Sequence, residues 1–415
     1  PIEKPAGMDV EVIDAHGCYV MPGGIDPQTH MEIPFMGTRG IDDFYSGLAA
    51  AQTGGTTMLM DFVIPGKGQR LMEAWESWND WASKAAGDYS FHVAVTWWDD
   101  TVKEDQKTLS QLGVNSFKHF LAYKGAIMAD DEILVNSFSN CAELGCMATI
   151  HAENGEIISH LQQQIFDSGI TGPEGHPASR PPEVEGEATN RAIRIAEMIG
   201  IPVYIVHTSS RDAMEAVAAA RARGQVAFSE VLSQHLVVDD SMYFHEDWRV
   251  AAHHVMSPPF RNKKHQESLW NALTSGTAQT TATDHCSFST QQKEAGKNVR
   301  GSRCRRHDRP PWHARCWPGL ALYRTAATRM CPCLHTLPLP ASALPLPASA
   351  PSAPSHSLFS ALAACRLPTT RSSARAGLPH HSQRHRRPRG SAVHPVGARR
   401  QPGQAHAQPV RRRHL

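Results

Sequence analysis

The 415-residue sequence predicts an α/β fold, a (β/α)8 barrel of TIM-like type, on three observations. Short apolar runs alternate with longer amphipathic segments from Tyr19 to His285, the pattern of parallel strands joined by crossover helices. The runs number eight, enough to close a barrel. Potential metal ligands sit in or just after five of them, and a barrel keeps its chemistry at the carboxyl ends of its strands.

A strand is predicted over 19–25, a helix over 42–52, a strand over 57–64, a helix over 71–86 and a strand over 90–97. The alternation continues with helix 103–112, strand 116–123, helix 131–144, strand 147–152, helix 187–199 and strand 203–208. Helix 211–223, strand 226–231, helix 265–274 and strand 280–284 complete it. Gly145, Gly200 and Gly224 stand at helix ends, where a left-handed cap strains a glycine least.

Charge argues against a polyanion binder: 41 Lys and Arg balance 40 Asp and Glu, for a formal net charge of +1. Beyond Gly301 a single acidic residue, Asp308, and no lysine stand among repeated Pro, Ala, Ser, Arg and His. Apolar periodicity is lost there, so residues 299–415 are expected to form a low-complexity, disordered tail, with the boundary near Arg300. The basic end, Arg411 to Arg413, lacks aromatic interleaving and reads as solvated rather than as a nucleic-acid site.

Cys18, Cys141, Cys146 and Cys286 are scattered without paired spacing, which suits a reduced compartment. Cys331 and Cys333 are too close and too isolated for a zinc site. No run is long enough to span a bilayer and no signal-peptide pattern is present, so a cytoplasmic enzyme is expected, without membrane attachment. Opening on Pro1, the chain reads as beginning mid-protein.

The candidate ligands are His30 after the first strand, Lys118 within the fourth, and His151, His207 and Asp284 at the ends of the fifth, sixth and eighth. One histidine among 24 is more often a hydrogen-bonded core residue than a ligand; recurrence at strand ends reverses that weighting. Lys118, between Phe117 and Phe120, would bury an ammonium at considerable cost. Reaction of its neutral amine with carbon dioxide gives a carbamate, an anionic oxygen ligand able to bridge two cations.

Longer motifs surround these residues: PGGID at 22–26, TGGTT at 53–57, NSFKHFLAYKG at 115–125, HAENG at 151–155, GITGPEGH at 169–176, SPP at 257–259 and TDHCSF at 283–288. Together they resemble the dihydropyrimidinases and hydantoinases of the cyclic amidohydrolase superfamily, over about residues 10–298. The resemblance implies two zinc ions per chain, bridged by N6-carboxylysine at Lys118, with His30 and Asp284 on one ion and His151 and His207 on the other. It implies Asp284 as general base and acid, Tyr123 as oxyanion donor and substrate contact, and Ser257 as a main-chain partner of the substrate imide. Glu153 and Asn154 would orient His151, and Phe35 and Met36 would line the ring pocket.

The implied activity is opening of 5,6-dihydropyrimidine rings, dihydrouracil and dihydrothymine, to N-carbamoyl-β-amino acids in pyrimidine degradation. A hydantoinase, or a catalytically impaired or non-catalytic homologue, is the alternative. The implied partner is a small cyclic amide, and the implied assembly a homo-oligomer, a tetramer in the family. Three departures bear on activity. Gln28 stands where the first histidine of a His-x-His pair belongs, so the metal shared with His30 and Asp284 is expected to bind loosely. The family's substrate-binding asparagine has no counterpart after 292–297, where the match ends and the sequence resembles a translated intron or shifted frame. Residues 1–18 hold only a remnant of the accompanying β-sandwich, a strand over 10–13, which leaves the 19–298 barrel with apolar surface that favours association.

Overall fold

Each helical crossover in the chain returns to a strand parallel to the one before it, and strand order in the sheet therefore follows strand order in the sequence. The structure is a computed structural model that describes residues 7, 9, 13–35, 37–294 and 297. The expected tail and its boundary near Arg300 lie outside the described residues, as do Met36 and, except for Ile13, the expected strand over 10–13.

The barrel strands are β1 Gly24–Thr29, β2 Thr56–Val63, β3 Asp88–Ala94 and β4 Ser116–Phe120, followed by β5 Met147–His151, β6 Val203–Ile205, β7 Ala227–Leu232 and β8 Thr280–Ala282. They form one parallel eight-stranded sheet. A parallel bridge between Thr29 and His285, with His30 N–H donating to His285 O at 2.8 Å, closes β8 on β1. Asp26 reinforces that seam, accepting from the Thr283 backbone N–H at 3.2 Å and hydroxyl at 2.5 Å. The fold is the predicted (β/α)8 barrel.

The helices are α1 Phe44–Thr53, α2 Leu71–Ala82, α3 Asp100–Gln111, α4 Asp131–Leu144, α5 Gly155–Asp167 and the short α6 Gly175–Ala178. Then come α7 Pro182–Ile199, α8 Arg211–Ala222, α9 Trp248–His253, α10 Lys263–Ser275 and α11 Thr290–Glu294. Local chemistry sets their ends. Asp43 and Ser46 form a capping box on α1, Asp130 caps α4 and Ser210 caps α8. Gly145 and Gly200 take the left-handed C-cap expected of them. Pro182 occupies the first turn of α7, where its missing N–H is harmless, and the helix starts five residues before the predicted 187.

The main core lies between sheet and helices: Leu59, Val93, Phe117 and Ile150 from the strands pack with Leu48 and Phe138 from the helices. None of the helices among the described residues is long and apolar enough to cross a membrane. Of the four described cysteines, Cys141, Cys146 and Cys286 are buried, and all are free.

One element needs correction. The first strand was expected over 19–25, yet Tyr19, Val20 and Met21 are exposed and β1 begins at Gly24. The apolar run is an approach to the barrel. The strand that enters it is more polar because its far end faces the site, so apolar content alone points too early. α5 is also absent from the sequence reading, although Asn154 accepts from Glu156 N–H and Ile157 N–H as its N-cap.

Candidate active site

All six residues expected around the metals are nearly inaccessible: Gln28 1%, His30 2%, Lys118 0%, His151 1%, His207 2% and Asp284 3% exposed. Burial of this degree excludes a lysine snorkelling at the barrel rim. Barrel connectivity brings the set together, because every member lies in or within two residues of the carboxyl end of a strand, apart from Lys118 in the middle of β4.

The pleat of β4 sorts its side chains. His119 faces the helices, its Nε2 2.8 Å from Ser137 Oγ of α4 and its ring edge-on to Phe138. Lys118, the preceding residue, therefore points into the barrel. Its Nζ lies 4.4 Å from the Phe62 ring centroid and 5.2 Å from that of Phe120, with no hydrogen-bond partner among the described residues. Burial pushes the amine down to about 7, against the attraction of Asp284 and Glu230.

His151 and His207 converge edge to face, with ring centroids 4.5 Å apart. Burial lowers the pKa of both, in His151 against the raising effect of the Glu153 carboxylate and in His207 with the neighbouring His151 and Lys118 adding to it, which favours neutral imidazoles that retain a lone pair. His151 Nε2 donates to Glu153 Oε2 at 2.8 Å, as expected of a carboxylate that orients a ligand. Asn154, expected to share that task, instead caps α5 and donates to Glu187 Oε2 at 2.6 Å. His207 is held through its backbone, whose N–H donates to Glu230 Oε1 at 3.0 Å while Tyr204 O–H donates to Glu230 Oε2 at 2.7 Å.

On the opposite side, His30 Nε2 lies 3.0 Å from Asp284 Oδ1. Gln28 Nε2 donates to the same oxygen at 3.0 Å. Asp61, on β2, fixes the chain around His30 by accepting from Thr29 O–H at 3.0 Å and Met31 N–H at 2.7 Å. Asp61 and Glu230 were not singled out in the sequence, although each is a lone carboxylate inside an apolar strand, the signal that identified Lys118.

Tyr123 follows β4, its ring centroid 5.2 Å from that of His151. Burial raises its phenol well above the ordinary range, and the Ser257 side chain hydrogen-bonds to it, so the hydroxyl stays protonated and able to donate. Ser257 is itself buried and lies 3.5 Å from His176 Nε2, which donates to Met256 O at 2.6 Å. Phe35, in a two-residue strand of the hairpin after β1, packs on the cluster that contains Tyr123.

Backbone strain concentrates here. Among the described residues, four non-glycines have left-handed φ: Glu32 at 51°, Tyr123 at 65°, His207 at 38° and Asp284 at 51°. Each such residue costs on the order of 1–3 kcal/mol, which surrounding contacts must offset. Three of the four carry side chains of the expected site, a feature invisible to sequence patterning.

The donor chemistry can be tested against a bound cation. Lys118 Nζ, Asp284 Oδ2, His207 Nδ1 and Gln28 Oε1 are buried polar atoms without hydrogen-bond partners among the described residues. Such atoms are rare unless they serve a ligand. No group of three or more His, Cys, Asp or Glu among the described residues forms a metal site by itself. With the Lys118 amine converted into an oxygen donor, as expected of it from the sequence, the buried set would fit a metal.

Residues 19–306 match the amidohydrolase family. The chain belongs to the amidohydrolase family. Within it, the dihydropyrimidinase of Rattus norvegicus is 49% identical over 292 residues, 70% of this chain and 56% of that protein. The D-hydantoinase of Geobacillus stearothermophilus is 46% identical over 290 residues, 69% of this chain and 61% of that protein. The crystal structure of dihydropyrimidinase from Brevibacillus agri superposes with a TM-score of 0.71 at 39% identity, over 76% of this chain and 67% of that one. This amidohydrolase chain thus spans little more than half the length of the rat protein that it matches.

Proposed function

We propose that the chain is a cyclic amide hydrolase that opens 5,6-dihydropyrimidine rings to N-carbamoyl-β-amino acids. The observation that carries this reading is the convergence of buried Lys118, two neutral imidazoles and the His30–Asp284 pair in one barrel. The similar proteins named dihydropyrimidinase and D-hydantoinase support it. A carboxylated Lys118, His151 and His207 would hold one divalent cation, and His30 with Asp284 a second. In this role zinc supplies Lewis acidity, polarising the ring carbonyl and lowering the proton affinity of water.

The chain's own residues do the rest. Asp284, with Oδ1 engaged by His30 and Gln28, has Oδ2 to take the proton of the attacking water and return it to the ring nitrogen. Tyr123 keeps its hydroxyl protonated and donates to the oxygen that becomes negative as the carbonyl turns tetrahedral. Ser257 aligns the imide beside that hydroxyl. We place this activity in pyrimidine degradation, with a small cyclic amide as the partner and a homo-oligomer as the assembly.

A second reading is favoured by Gln28: a homologue whose His30–Asp284 side is impaired, because an amide oxygen binds zinc more weakly than imidazole. Incubating the chain with zinc, bicarbonate and dihydrouracil, and measuring N-carbamoyl-β-alanine by mass spectrometry, tests both. Product formation lost in Asp284→Asn supports the hydrolase. No product from dihydrouracil, but product from hydantoin, moves the substrate assignment. No product from either ring leaves the impaired homologue.

A further inference from the structure

Arg180 has no part in the chemistry described so far, yet it is the bulkiest fully buried side chain among the described residues. A guanidinium out of water is tolerated only when paired, so its contacts carry information. Nη1 donates to Glu153 Oε2 at 2.6 Å, the oxygen that also accepts His151 Nε2 at 2.8 Å. The Arg180 guanidinium carbon lies 5.7 Å from the Tyr123 ring centroid.

Its surroundings hold it there. Arg180 O accepts from Arg261 Nη1; Arg261 Nη2 pairs with Glu185 Oε2 at 3.1 Å, and Arg261 Nε donates to Ser209 Oγ at 3.2 Å. Glu185 accepts in turn from Ser209 N–H at 2.7 Å and Ser209 O–H at 2.6 Å. One buried polar chain therefore ties together the segments that follow β5, β6 and β7. It meets the expected site at His151 and Tyr123.

We propose that Arg180 is a positioning residue for His151: by fixing the Glu153 carboxylate against Nε2 it holds the imidazole as the Nε2–H tautomer and keeps the lone pair on Nδ1. This rests on the reading of His151 as a ligand, but the tautomer itself depends on neither metal nor turnover. An imidazole has no preference strong enough to fix its own tautomer. The partner of the other nitrogen decides it. Arg180 Nη1 and His151 Nε2 meet the same Glu153 Oε2, so the guanidinium fixes where that oxygen stands against the ring.

The test is long-range proton–nitrogen NMR of the full 415-residue chain labelled with 15N-histidine, metal-free, with His151 assigned by its loss in His151→Asn. The wild type is expected to show Nε2–H at His151. Arg180→Lys retains the cation and should keep that signature, whereas Arg180→Met should lose it to a mixture of tautomers. Because Arg180→Met strands a buried carboxylate and can unfold the chain, the Glu153→Leu/Arg180→Met double variant removes both charges together and should fold with the same loss. Retention of pure Nε2–H in either folded variant overturns the proposal. A chain that hydrolyses no substrate gives the same NMR answer, so failure of the enzymatic reading is distinguishable from failure of this one.

Discussion

Gln28 donates its side-chain amide to Asp284 Oδ1 at 3.0 Å, the oxygen that His30 Nε2 also meets at 3.0 Å. The amide must face this way, because reversing it would set oxygen against oxygen. Gln28 thus spends its donor on the carboxylate that it would have to share with a cation, and its own Oε1 has no hydrogen-bond partner among the described residues. Zinc prefers imidazole to a neutral amide oxygen, so under the proposed function this half of the site would be the weaker one. Elemental analysis after dialysis is expected to give about one zinc per chain in the wild type and a rise toward two in Gln28→His, whose added imidazole completes an ordinary ligand set. Unchanged metal content in Gln28→His would mean that some other feature limits occupancy.

Lys118 offers the cleanest test of the carbamate. A buried amine, pushed down to about 7 by desolvation and without a hydrogen-bond partner among the described residues, is poised to react with carbon dioxide. Growth of a carbamate carbon signal on adding 13C-bicarbonate and zinc is expected for the wild type and not for Lys118→Met. The methionine replaces an amine flanked by Phe62 and Phe120, so metal-free Lys118→Met should be as stable as the wild type or about 1 kcal/mol more so. A urea-melt loss of several kcal/mol would show that the amine is structural.

Tyr123 faces the site from a left-handed backbone position, with its hydroxyl kept protonated by burial. Removing that hydroxyl leaves the ring packing on Phe120 and His151 intact. Tyr123→Phe should therefore lower kcat by about 10²- to 10³-fold, with little change in KM, as loss of an oxyanion donor does. A rise in KM at constant kcat would identify the hydroxyl as a ground-state binding contact instead.

Lys118 was legible because a charge inside an apolar run has few explanations, and eight alternations with ligands at strand ends left few folds to consider. Asp61 and Glu230 carried the same signal and went unread, because their carboxylates act on the backbone of other residues, Met31 and His207, rather than on a metal. Arg180 gave no local sign at all: it lies between Ser179 and Pro181 in a loop, and its partners are distant in sequence. β1 was misplaced because strand ends that face the chemistry are polar, so Gln28 and Thr29 contribute nothing to the apolar pattern by which strands are found.

The loops after β1 and β8 are joined by Asp42, whose carboxylate accepts from His285 Nε2 at 2.8 Å and Ser287 Oγ at 2.5 Å. The hydrogen bond from His285, opposed by partial burial and aided by Ser287, lowers Asp42 from 3.8 to about 2. A carboxyl group with a depressed folded-state pKa stabilises the fold fully above its unfolded value, and the contribution disappears as pH falls through the folded value. Asp42→Asn cannot titrate, so it should be less stable than the wild type at pH 7, by about 1 kcal/mol once solvent screening of this half-exposed pair is allowed for. Urea melts should show that gap constant from pH 7 down to about 4 and closing between about 4 and 2. A gap that instead narrows only above neutral pH would assign the stability to a group that loses a proton there, and Asp42 would have no part in the latch between the two loops.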